Sequence, residues 1–202
     1  MSGRIIGGLP GCCRRWMVIC CVRRIAFLAA ARRWRCALAN SLLRPDGEKF
    51  RLAREVRADQ YGIRTTLLVD ELPIKFEIVL EGRIELEAAS GKYLVCGVST
   101  LTALDMATSK LLANADQWSD DGVFSREVID LAMMSPSLPL LRKALRKAQG
   151  AYGEAIARDL ERAIERLQNS PNWLERCMQV MAISLPKAVL WERIRALRRV
   201  LP

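Results

Sequence analysis

The sequence predicts an α+β protein in which a strand-rich part over residues 46–98 precedes a helical part over 99–202. Two β-rich runs carry the first half of that reading: Ile63–Val69 and Ile74–Leu80 are separated by the turn-like Asp70-Glu71-Leu72-Pro73, the pattern of an antiparallel hairpin. Helical spacing carries the second half, since apolar residues beyond Ser99 recur every three or four positions. A change of composition near residue 46 marks where this ordinary folded pattern begins.

Before that boundary, residues 1–45 hold nine Arg and no acid, whereas residues 46–202 are nearly neutral, with 23 Lys and Arg against 22 acids. The net charge of +10 therefore belongs to the leader and gives no reason to read the body as a nucleic-acid binder. The leader also holds Cys12, Cys13, Cys20, Cys21 and Cys36, against Cys96 and Cys177 in the body. Adjacent cysteines lack the spacing of a zinc site, and with no His in the chain a Cys/His centre is excluded. The lack of His also removes Ser-His and Cys-His pairs, so chemistry here must run on carboxylates, Lys and Arg. Reduced thiols and a cytoplasmic location are the expectation.

Residues 1–45 read as a basic Cys/Arg-rich leader, disordered or non-native in character, with a helix pattern over Ile25–Leu43. Trp16–Val22 and Ile25–Ala31 are apolar, but Arg23 and Arg24 divide them, and a membrane span needs about twenty residues. No membrane association is expected; a basic amphipathic anchor in the leader is the minor alternative.

In the body, Arg83–Glu87 reads as a third strand and Tyr93–Val98 as a fourth. Ser99 fits an N-cap for a helix to about Ala115, with Leu101, Leu104, Ala107, Leu111 and Leu112 as its apolar stripe. Asp116–Gly122 is a polar loop, and Phe124, Val128, Leu131 and Ala132 mark a second helix stopped by Ser135-Pro-Ser-Leu-Pro139. Further helices are expected over Leu140–Gln149, Gly153–Gln168, Trp173–Ile183 and Pro186–Val200.

Polar residues in apolar surroundings are the candidates for chemistry. Strand alternation puts Lys75 and Glu77 on one face and Ile74, Phe76 and Ile78 on the other, which leaves a carboxylate beside an ammonium. An exposed face with a weak ion pair is the plainer account of the same pattern. Lys110 sits in Ser109-Lys-Leu-Leu-Ala-Asn, and Arg126 and Asp130 are one helical turn apart, where a surface pair is the plain account. The last helix carries Arg193, Arg195, Arg198 and Arg199, either a phosphate-contacting strip or the solvated face of a packed helix.

Taken in order, Pro73-Ile-Lys-Phe-Glu-Ile-Val79, Val98-Ser-Thr-Leu-Thr-Ala-Leu-Asp-Met-Ala-Thr-Ser-Lys-Leu-Leu-Ala-Asn-Ala-Asp116 and Phe124-Ser-Arg-Glu-Val-Ile-Asp-Leu131 resemble the nucleotidyltransferase toxins of the AbiEii/AbiGii type over roughly residues 60 to 135. The resemblance implies the remnant of a polymerase-β-like mixed sheet followed by a helical C-terminal half, Mg²⁺ and NTP as cofactor and substrate, and transfer of a nucleoside monophosphate to an RNA or protein hydroxyl. It assigns Glu77 to the metal, Lys75, Lys110 and Arg126 to the nucleotide, and Glu77, Lys110 and Asp130 to catalysis. Arg193, Arg195, Arg198 and Arg199 would face transfer RNA, and a cognate antitoxin would be a partner. The family's Gly-rich turn leads into an Asp-x-Asp pair that this chain lacks; Asp159-Leu-Glu161 is an Asp-x-acid match but lies on a distant amphipathic helix. The expectation is therefore a family member with an incomplete catalytic set, with a noncatalytic nucleotide- or partner-binding module as the alternative.

Overall fold

The computed structural model describes residues 18–22, 51–59, 62–69, 71–87, 94–95 and 98–201. They form two compact units, one of Met1–Glu85 with Ser90–Thr100 and the other of Leu86–Ala89 with Leu101–Pro202.

The first unit is a sheet of strands β1 (Val18–Val22), β2 (Arg51–Asp59), β3 (Gly62–Val69) and β4 (Leu72–Leu80), in the order β1-β4-β3-β2. The β2, β3 and β4 strands are antiparallel neighbours, and β1 runs parallel to β4. The predicted hairpin is β3–β4, but its connection is tighter than expected. Val69 pairs with Leu72 and Leu68 with Pro73, so Leu72 and Pro73, two of the four residues assigned to the turn, belong to the strand. Glu71, at φ 60°, takes the left-handed conformation that a two-residue hairpin turn demands. Pro73 is tolerated because it sits near the strand's start.

Register gives the sheet one apolar and one polar face. Ile63, Thr65 and Leu67 are buried, and Thr65 and Leu67 lie directly opposite Phe76 and Ile74. On the other face Arg64 stands opposite Glu77 and Thr66 opposite Lys75. Strand β2 was not anticipated: Arg51, Arg54, Glu55, Arg57 and Asp59 leave it without a two-residue apolar alternation, and most of it is exposed. Its pairing with β3 shifts register at two places, so it is held as an irregular outer strand.

Two expected strands are corrected. Arg83–Glu87 is bends and irregular chain, because Glu81 turns back on Arg83, accepting from its backbone N–H at 2.8 Å and pairing with its guanidinium. Tyr93–Val98 is not one strand either; β5 (Leu94–Val95) and β6 (Val98–Ser99) pair as a minimal antiparallel ladder. The Ile25–Leu43 helix lies outside the described residues.

The second unit is helical, comprising α1 (Ala103–Gln117), α2 (Arg126–Met133), α3 (Leu138–Tyr152), α4 (Ala155–Asn169), α5 (Trp173–Val180) and α6 (Lys187–Leu197). The α1 helix is the centre: it packs on α2, α3 and α4, while α6 closes on α2. Its Leu111 and Leu112 are fully buried, as are Leu141 on α3, Leu160 on α4 and Ile194 on α6. Each such leucine contributes roughly 1.5–3 kcal/mol through removal from water.

Helix ends follow local chemistry. The cap of α1 is Thr102, three residues after the expected Ser99, because its hydroxyl accepts the Asp105 N–H at 3.1 Å whereas Ser99 belongs to β6. The Ser135–Pro139 stop is real for α2, yet Pro139 lies inside the first turn of α3, where its missing N–H costs nothing. Gly153, expected within the next helix, instead ends α3 at φ 61°. Among the described residues no helix is long and apolar enough to cross a membrane.

Candidate functional site

The sequence-assigned residues divide between the two units. In the sheet, Lys75 and Glu77 share a face as expected, and Lys75 Nζ lies 2.9 Å from Glu77 Oε1. Glu77 is only 7% exposed, unlike the solvated carboxylate of a plain surface pair. Arg64 approaches the same oxygen at 3.6 Å from the adjacent strand and also binds Asp59 at 2.9 Å. The result is a line of alternating charge, Asp59, Arg64, Glu77, Lys75. Arg64 and Asp59 escaped notice in the sequence, since only the tight β3–β4 turn sets Arg64 opposite Glu77.

The helical unit holds the second cluster. Lys110, in the middle of α1, donates to Glu127 Oε2 at 2.8 Å and to Asp130 Oδ2 at 2.7 Å, both on α2. All three side chains are mostly withdrawn from water. Burial works against the Lys110 charge, but the two carboxylates and their hydrogen bonds outweigh it, and its pKa is raised above the usual lysine value. Such charge-assisted bonds are worth roughly 1.5–3 kcal/mol each when formed away from water. Glu127 was missed, although its three-residue separation from Asp130 places both on one helix face. The surface pair of Arg126 and Asp130 does not form: Asp130 turns to Lys110, and Arg126 makes no ion pair or hydrogen bond with a described residue.

Around these clusters the helices are locked by polar ties. Asp105, fully buried, accepts from Lys147 Nζ at 2.6 Å and from the Glu87 backbone N–H at 2.7 Å, joining α1 to α3 and to the segment before it. Ahead of α2, Phe124 and Ser125 are consecutive left-handed residues at φ 54° and 48°. Phe124 stacks on Trp173 with centroids 5.9 Å apart, and Ser125 Oγ accepts from Trp173 Nε1 at 2.9 Å. Arg166 lies 4.8 Å over the Trp173 ring and Arg176 lies 5.7 Å from it. Cys177 sits beneath, fully buried; desolvation pushes its thiol up to about 11, against the weaker opposing pull of Arg166 and the Ser125 hydrogen bond. It is an inert core thiol.

The four C-terminal arginines do not act as one strip. Arg198 pairs with Glu165 at 3.2 Å and Glu161 at 3.7 Å on α4, Arg193 reaches Met133 Sδ at 3.9 Å, and Arg195 and Arg199 are exposed.

The described residues do not suit the Mg²⁺ that the resemblance implies. No group of three or more Cys, Asp or Glu among them is placed to hold a metal, and the Glu77 carboxylate is already compensated by Lys75 and Arg64. Comparison with protein-family models, with curated proteins and with solved structures matches this chain to none of them.

Proposed function

We propose that the chain is a nucleotidyltransferase-like protein of the type IV toxin–antitoxin and abortive-infection class, acting on a nucleoside triphosphate and on an RNA, such as transfer RNA, or a protein hydroxyl. One observation carries the reading. The two helical motifs that resemble that family meet at a single half-buried cluster in which Lys110 contacts both Glu127 and Asp130, 17 and 20 residues further along the chain. Beside it, Arg126 retains a positive charge engaged by no described residue, suited to neutralising phosphate oxygens. The resemblance assigns Lys75 and Glu77 to the same chemistry, and a cognate antitoxin would be the protein partner.

A second reading, a noncatalytic nucleotide- or partner-binding relative, is favoured by the charge state of the same cluster. Lys110 already faces two carboxylates, so its own charge is withheld from a triphosphate unless the contacts rearrange. A single pair of measurements separates the readings. Radiolabelled NTP with Mg²⁺ and total transfer RNA should give labelled product that Glu77→Ala abolishes if the chain is a transferase. Without labelling, NTP-dependent thermal stabilisation lost in Arg126→Ala supports the binding module. Neither labelling nor stabilisation sinks both.

A further inference from the structure

A groove of ≈310 Å³ lies where the end of α2 and the turn after it meet α3 and α6, at the small end of ligand pockets, which run roughly 300–1,000 Å³. It contains none of the residues assigned to the nucleotidyltransferase reading in the sheet or at Lys110. Leu141 and Leu197, both 2% exposed, form its floor, and Leu138 its wall. Arg193, Arg199 and Glu192 also line it.

Its two arginines are not engaged by a described carboxylate. Neighbouring Arg198 is engaged by two glutamates of α4, whereas Arg193 has only the sulfur of Met133 at 3.9 Å, a weak acceptor, and Arg199 has no ion pair or hydrogen bond with a described residue. Two guanidiniums against one carboxylate leave a single positive charge beside an apolar floor. That balance matches a monoanion better than a phosphate monoester, which carries about −1.5 to −2. Guanidinium forks are also geometrically matched to carboxylates.

We propose that this groove binds a small organic carboxylate, its apolar body against Leu138, Leu141 and Leu197 and its single negative head on Arg193 and Arg199. The site assigns these two arginines to a ligand different from the nucleic acid suggested by their sequence.

Isothermal titration of the full chain with octanoate, octan-1-ol and octylammonium tests the charge and the apolar body together. Saturable one-to-one binding of octanoate is expected, with the alcohol and the amine weaker by about tenfold or more, as loss of a charge-assisted hydrogen bond implies. Arg193→Ala and Arg199→Ala should each weaken octanoate by about tenfold. Ala196→Trp fills the groove from an exposed helix position and should abolish binding while circular dichroism stays unchanged. Absence of saturable octanoate binding overturns the proposal. So does an alcohol that binds as tightly as the acid, or wild-type affinity in both arginine variants.

Discussion

Lys110 shows what one residue can carry in this fold. Its ammonium is the only link described between the middle of α1 and the two carboxylates of α2, so Lys110→Met leaves Glu127 and Asp130 facing each other without a cation. A loss of roughly 1–3 kcal/mol at neutral pH is expected from urea unfolding. Its raised pKa adds a pH signature. The unfolded lysine releases its proton near 10.5 while the folded one retains it, so the stabilisation is complete below that pH and is lost as pH climbs through the higher folded value. Cys177 contributes a further alkaline loss, because its thiol ionises near 9.0 when unfolded and at about 11 when folded. Both proteins share the cysteine effect, so a Lys110→Met profile parallel to wild type above pH 10.5 would refute the lysine assignment. The carboxylate partner Asp130 was readable from spacing; that Lys110 rather than Arg126 would take it was not, since the choice depends on how α1 packs against α2.

At the scale of elements, helix existence was legible and helix ends were less so. Apolar spacing located the six described helices α1 to α6, because each buries a stripe in a shared core. Boundaries depend on single hydrogen bonds: Thr102 wins the α1 cap from Ser99 through its bond to the Asp105 N–H. Gly153 is the sharpest case, with φ 61° and ψ −148°, a region nearly closed to residues with a side chain. Gly153→Ala should therefore cost about 1–3 kcal/mol even though its added methyl meets nothing within 4 Å. Thermal melts showing no change would mean that the chain can leave this conformation cheaply. The sheet was legible only where one face is apolar. The hairpin partner strands satisfied that condition, and β2, charged along its length, did not.

For the whole molecule, the helical unit has a core of its own around α1. Residues 86–202, which retain the Glu87–Asp105 tie, should fold alone and melt cooperatively by far-ultraviolet circular dichroism. A broad, noncooperative melt would show that the helices depend on the sheet. What the sequence left illegible was the charge line Asp59, Arg64, Glu77, Lys75, because it arises from register between strands.

The outer position of β2 has a consequence for behaviour at high concentration. An unpaired strand edge offers backbone donors and acceptors to any other extended chain, and a flat apolar edge invites stacking of molecules into aggregates. Among the described residues one such edge belongs to a strand bearing Arg51, Arg54, Glu55, Arg57 and Asp59, interrupted twice in its register. Charged side chains discourage an apolar strand from joining, and an irregular ladder cannot be copied strand upon strand. The segment that looked least like a strand is thus the one best suited to end the sheet on its β2 side.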